Sequence, residues 1–354
     1  MRTDDFLSLQ LNIDTPDEII YSSIREYWDK AAKPLDSLGK FEDITARIGA
    51  VQRSTNIDIE KKAVVVMCAD NGIVEEGVSQ VGSEVTLAVT RAMGLRTSSV
   101  CKMACKAGVD VFPIDIGIKT DEKIPGVADR KIAKGTKNFM SEPAMSKDEV
   151  DRALKTGINI AYELADAGYK LICTGEMGIG NTTTSTAVAC ALLKEDAKKL
   201  TGRGSGLSDA GLQKKLLVIE KAIEKYDLYN VSPTEILRTV GGFDVAALTG
   251  LILGAADRHI PVVLDGVISE AAALAAAEMI PEVSGYLIAS HMSREPAAAM
   301  IAKRLGLSPV IDADMALGEG TGAVMMCMLL DTALTLYNDR LSFEDIKIEA
   351  YSRF

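Results

Sequence analysis

The sequence predicts an α/β fold: an open, mostly parallel sheet with helices on both faces, Rossmann-like in its layering. Two observations carry this. Short apolar runs alternate with amphipathic segments of helical period along most of the chain, as βα units require. The runs are also continuously apolar rather than alternating, the mark of strands buried on both faces.

Six such runs are legible: KAVVVMCADNG (62–72), VDVFPIDIG (109–117), YKLICTGEMG (169–178), IPVVLDG (260–266), GYLIASH (285–291) and SPVIDAD (308–314). Between them, SDAGLQKKLLVIEKAIEKY opens on the cap-type residues Ser208 and Asp209 and repeats Leu212, Leu216, Ile219 and Ile223 at helical spacing. The alanine-rich SEAAALAAAEMI suits a helix packed closely on a sheet. The first fifty or so residues and the last twenty-five read as mostly helical, which predicts a small helical domain from residues 1–50 and 331–354 beside a large α/β domain over 51–330.

Composition narrows the function. The chain has 354 residues, with 39 Lys plus Arg against 50 Asp plus Glu, a formal charge of -11. Such a surface repels polyphosphate backbones, so no nucleic-acid partner is expected. The opening MRTDDFLSLQ lacks a basic stretch followed by an apolar run, and the apolar segments are too short or too broken by charge to span a bilayer. A cytoplasmic protein without a membrane partner is the expectation. Two histidines are too few for a usual zinc constellation. No metal or cofactor is expected, and Cys101 and Cys105 read as small buried hydrophobes.

Nearly every apolar run ends in glycine and a polar side chain: Asp70 and Asn71, Asp115 and Gly117, Glu176 and Gly178, Asp265 and Gly266, Ser290 and His291. Open α/β sheets bind ligands beyond the carboxyl ends of their strands, so these turns predict one site at one sheet edge. Within it, GEMGIGNTTT has the glycine spacing of a triphosphate loop at Gly175 and Gly180 and a hydroxyl at Thr182, but Asn181 stands where that loop carries lysine. Two readings stand: a monophosphate held by the N–H groups of Gly178, Gly180, Asn181 and Thr182 at a helix start, or a tight turn whose glycines serve packing. Glu319 in LGEGTGA, flanked by glycines, reads either as a desolvated general base or as a solvent-exposed turn residue. His291 reads as a catalytic residue or as a structural hydrogen-bonder.

GEMGIGNTTT, GRGSGLSDAGLQKK, GGFDVAALTG, PVVLDGVISEAAAL, YLIASHMSREP and LGEGTGA, in that order and preceded by KPLDSLGKFE and ADNGIVEEGVSQ, resemble the nicotinate mononucleotide:5,6-dimethylbenzimidazole phosphoribosyltransferases of cobalamin assembly. The resemblance runs from about residue 30 to 335. It implies transfer of a phosphoribosyl group from nicotinate mononucleotide to an aromatic base, in a homodimer that needs no metal. It also implies that Glu176 and Gly178 line the ribose phosphate region, that Lys215 and Ser293 help hold the phosphate with Gly204, and that Glu319 is the general base. Ser79, Val81 and Leu317 fall in the implied base pocket. This chain departs from the pattern at Val81, Gly82 and Ala88, where relatives carry an aromatic, a proline and a glutamine, and at Asn71 and Ala316, where histidine and arginine are frequent. Transfer to a purine or phenolic base, or a nucleotide-binding subunit without turnover, are the competing expectations.

Overall fold

The computed structural model describes residues 11–353; the leader reading of MRTDDFLSLQ lies outside them. Six strands, β1 (Lys62–Ala69), β2 (Val109–Gly117), β3 (Ala128–Asp129), β4 (Leu171–Met177), β5 (Val262–Leu264) and β6 (Leu287–Ala289), form one sheet in the order β3-β2-β1-β4-β5-β6. Every pairing is parallel. β1 and β4 stay in register from Lys62↔Leu171 to Cys68↔Met177, which brings the carboxyl ends of the two central strands to the same height.

Side-chain alternation explains the continuous apolar runs. Ala63, Val65 and Met67 of β1 enter one core, with Leu154 and Ile158 of helix Lys147–Asp166 and Leu248 and Ile252 of helix Phe243–Asp257. Val64, Val66 and Cys68 enter the other, with Ile24, Trp28, Ile44 and Ile48 of the two N-terminal helices and Cys327 and Leu330 of helix Thr321–Asn338. Both faces of the strand are therefore covered. Elements from the two chain ends together build the layer on the second face. Ser208 caps helix Asp209–Lys225 by accepting from the Gly211 N–H, as the sequence predicts.

Three expectations change. The run 308–314 is no strand: it makes a single bridge, Ile311 to His291, because Pro309 lacks an N–H and, past Ile311, Asp312 and Asp314 are exposed, Asp314 at φ +50°. The sixth strand is instead β3, which lies beside β2 at the opposite edge of the sheet and whose two exposed residues carry no apolar signal. The last residues are not helical beyond Asn338. There the Asp345 carboxylate accepts from the Ser342 N–H (2.8 Å) and hydroxyl (2.6 Å), a local turn that competes with helix. Finally, Cys101 is buried but Cys105 is exposed.

Candidate active site

One cleft opens beyond the carboxyl ends of β4, β5 and β6, enclosing about 190 Å³. β4 delivers Glu176 to it and the 316–319 turn delivers Glu319. Glycine lets the two approach. A Cβ on Gly175 would lie 2.7 Å from the Glu319 carbonyl oxygen, and one on Gly318 would lie 2.8 Å from Glu176 Oε1. Glu319 itself sits at φ +62°, a left-handed conformation uncommon for a residue with a side chain. Its Oε2 accepts from the Val100 N–H (3.2 Å) at the start of helix Ser99–Ala107. Burial raises its pKa, against the lowering by Val100 and the Ser98 hydroxyl. The desolvated reading of this residue fits better than the exposed one.

Glu176 is buried, and desolvation pushes it up to about 8, helped by the nearby charges of Asp244, Asp265 and Glu319. The Asn181 side-chain amide, in the place of a lysine, donates to Glu176 Oε2 and to Asp244 Oδ2 (3.1 Å). Asp265 caps helix Thr321–Asn338, accepting from the amides of Gly320 (3.1 Å) and Gly322 (2.7 Å). His291 lines the cleft with Nδ1 3.1 Å from the Ser290 hydroxyl and 4.0 Å from Asp265. Burial lowers its pKa, favouring the neutral ring.

At the other end of the cleft lie Thr182, Gly204, Ser293 and Glu295. Lys215 reaches this end from helix Asp209–Lys225, donating to Thr182 Oγ1 at 3.1 Å, and is 0% exposed. Among the described residues no acid lies within ion-pair distance of it; burial depresses its pKa to about 8, against the opposing pull of the Glu295 charge. The Gly204 N–H donates to Glu295 Oε1 (2.8 Å), while Glu295 Oε2 is buried without a partner. The amides of Asn181 and Thr183 are engaged by the carbonyls of Gly178 and Gly180, so the loop offers fewer free N–H groups than its sequence implies. The sequence reading missed a second helix start: Gly266 to Ser269, at the beginning of helix Val267–Met279, line the cleft without a side-chain cap. Its glycine-bounded strand end was the available signal.

Leu317 and Ala316 line the cleft, with Met177, Ile179, Val267 and Ile268 as further apolar wall. Ser79 and Val81 do not. They flank Gln80, whose amide donates to the Gly206 carbonyl and so ties the 77–83 loop to the glycine turn beside Thr182. Gly180 and Lys215 also stand behind the lining residues. Among the described residues no group of three or more His, Cys, Asp or Glu is placed to hold a metal ion.

Gly178 lines the cleft, and its lack of a side chain has a structural reason: a Cβ there would lie 2.6 Å from the Ala69 carbonyl oxygen and 2.7 Å from Asp244 Oδ2. Gly178→Ala is expected to destabilise the protein by about 1 to 3 kcal/mol, as overpacking does. An unchanged melting temperature would show that the loop has slack.

A parallel sheet whose strand ends bring the buried Glu176 and the half-buried Glu319 into one cleft, with the buried Lys215 behind it, defines an α/β enzyme for a small-molecule substrate. A family model described as phosphoribosyltransferase matches residues 13–348, and the chain belongs to that family. It is 42% identical over 323 residues to the nicotinate-nucleotide–dimethylbenzimidazole phosphoribosyltransferase of Acetivibrio thermocellus, covering 91% of this chain and 92% of that one. The enzyme of the same name from Ruminiclostridium cellulolyticum is 41% identical over 342 residues, 97% of this chain and 96% of its own. Among solved structures, CobT from Thermus thermophilus superposes with a TM-score of 0.90 at 34% identity, over 94% of this chain and 100% of that one.

Proposed function

We propose that the protein transfers the phosphoribosyl group of nicotinate mononucleotide to 5,6-dimethylbenzimidazole or a related base, giving α-ribazole 5'-phosphate and nicotinate for cobalamin assembly in the cytoplasm. The observation that carries this is the pairing of Glu176 and Glu319 across one cleft that ends at Thr182, backed by the buried Lys215. The pyridinium nitrogen of the nucleotide is cationic, so it leaves as neutral nicotinate ring nitrogen and needs no acid. The attacking imidazole nitrogen gains positive charge unless its other nitrogen loses a proton. Glu319, desolvated and held by Val100, takes that proton. Ionised Glu176 steadies the ribose as it becomes cationic. Lys215, Ser293 and the uncapped start of helix Val267–Met279 hold the phosphate.

Among the described residues no Phe, Tyr or Trp lines the cleft; its apolar wall is Met177, Ile179, Val267, Ile268 and Leu317. An aromatic stacking surface contributes about 0.5 to 1.5 kcal/mol beyond burial. Its absence predicts broad base selectivity. Purified protein incubated with nicotinate mononucleotide and a panel of benzimidazoles, purines and phenols, with products identified by mass, tests both points. No ribosylated product from any base would sink the transferase reading, and a preference for dimethylbenzimidazole above a few hundredfold would sink the prediction of breadth.

The working unit in this reading is a homodimer. Met325, Met328, Leu329 and Leu336 are exposed along one side of helix Thr321–Asn338, whose opposite side is core. Light scattering should give twice the 37.8 kDa chain mass, and Leu329→Glu should halve it. A wild-type mass of one chain removes the dimer.

A further inference from the structure

Asp244 is buried at the start of helix Phe243–Asp257 and contacts no cleft surface, yet it shares a hydrogen-bond donor with Glu176. One Asn181 Nδ2 serves both carboxylates. The remaining Asp244 oxygen accepts from its neighbour Val245 N–H at 3.0 Å. Gly178 seals the group from above, its Cα hydrogen standing where a Cβ would come within 2.7 Å of Asp244 Oδ2. A neutral amide thus holds two buried acids side by side.

The charged groups facing this pair make the problem worse. Asp265 at the end of β5 and Glu319 in the adjacent turn act on Glu176 with the same sign. Asp70, at the end of β1, is acidic too, and His291 beside Asp265 is kept neutral by burial. Two like charges in a site of low dielectric do not both ionise without a cation.

We propose that Glu176, Asn181 and Asp244 form a buried unit that retains one proton between its two carboxylates in the empty enzyme and releases it when the positive pyridinium ring of the nucleotide binds beside it, with Asp244 as the positioning residue that sets the charge of Glu176. Burial places the two acids at about 8 and about 6, so near neutral pH the pair carries roughly one proton, held mainly by Glu176. An arriving pyridinium supplies the missing positive charge, and the proton passes to solvent. Glu176 is then fully ionised before the bond to ribose breaks. The free protein is spared a doubly charged interior, and the bound state has its anion in place.

This inference rests on the nucleotide reading for its trigger but not for its proton. Carbon-13 NMR of the side-chain carboxyls in the free protein should show two groups titrating near pH 8, Glu176 and the buried Glu270 of helix Val267–Met279. The Glu176 signal should vanish in Glu176→Gln, with that of Glu270 left in place, and move down in Asp244→Asn, which keeps the acceptor for Asn181 but removes the like charge. A Glu176 midpoint unmoved in Asp244→Asn, or no raised carboxyl signal lost in Glu176→Gln, overturns the proposal. Should Asp244→Asn fail to fold, calorimetry of nicotinate mononucleotide binding to wild type, in buffers of different protonation enthalpy, decides. Roughly one proton released at neutral pH, and none from Glu176→Gln, is the expected result. Binding without proton release overturns the proposal. A protein that binds no nucleotide but shows the titration overturns the substrate reading alone.

Discussion

Glu319→Gln is expected to leave nucleotide affinity nearly intact while turnover falls by roughly 100 to 10,000-fold, the range for loss of a general base. The substitution is conservative where it matters structurally. A glutamine oxygen can still accept from the Val100 N–H, which is the contact that holds the side chain at the start of helix Ser99–Ala107. The left-handed backbone at this position is the same problem for glutamine as for glutamate, so folding should not distinguish them. What is lost is the capacity to take the imidazole proton. With nucleotide saturating and Glu176 already ionised, the acid limb of the wild-type kcat profile belongs to Glu319. It should lie above the free glutamate value of about 4.3, because burial outweighs the lowering by Val100 and Ser98. Activity falls as pH drops through this limb, since only the ionised group is a base. Wild-type turnover by Glu319→Gln would move the proton transfer to water or to Glu176, and would reopen the reading of the protein as a binding subunit.

The expectation that Glu319 matters was available from sequence because a carboxylate between two glycines is a local pattern, and the structure gives those glycines a close approach to Glu176. The strands were legible for a similar reason: burial on both faces leaves uninterrupted apolar runs such as 62–69. Features that depend on what a segment meets elsewhere were not legible. The run 308–314 looks like a strand but finds only one partner residue, His291. Gly178 reads either as a residue that lets a ligand approach or as one that serves packing, and what it packs against, Ala69 and Asp244, lies about a hundred and ten and about sixty-five residues away in the chain. Asn181 looks like a missing lysine, and only the fold shows that its amide joins two acids. Asp244 carries no signal beyond two preceding glycines, because its partner lies on another element.

Lys215→Met is expected to stabilise the free protein and to weaken nucleotide binding by roughly 10 to 100-fold. Among the described residues, Lys215, which is 0% exposed, has the Thr182 hydroxyl as its hydrogen-bond partner and feels the Glu295 charge without a close ion pair, so its ammonium is largely desolvated. Its pKa falls from 10.5 to about 8. The unfolded chain therefore holds more protons than the folded one between these two values, and this group's contribution to stability rises with pH across that window and levels off above it. Below about pH 8 the buried charge opposes folding by about 3 to 4 kcal/mol, the free-energy equivalent of the fall from 10.5 to about 8. Methionine has similar length and no charge, so thermal unfolding at neutral pH should occur at a higher temperature in the variant. The same substitution removes a charge-assisted hydrogen bond to phosphate, about 1.5 to 3 kcal/mol, which gives the stated loss in affinity. The salt dependence of binding should become shallower as well. An ammonium stored unpaired in the empty site is useful only if a ligand arrives to pair with it, so stability and affinity must move in opposite directions. A Lys215→Met protein that melts lower than wild type and binds nucleotide equally well would show that the lysine serves the fold and not the phosphate.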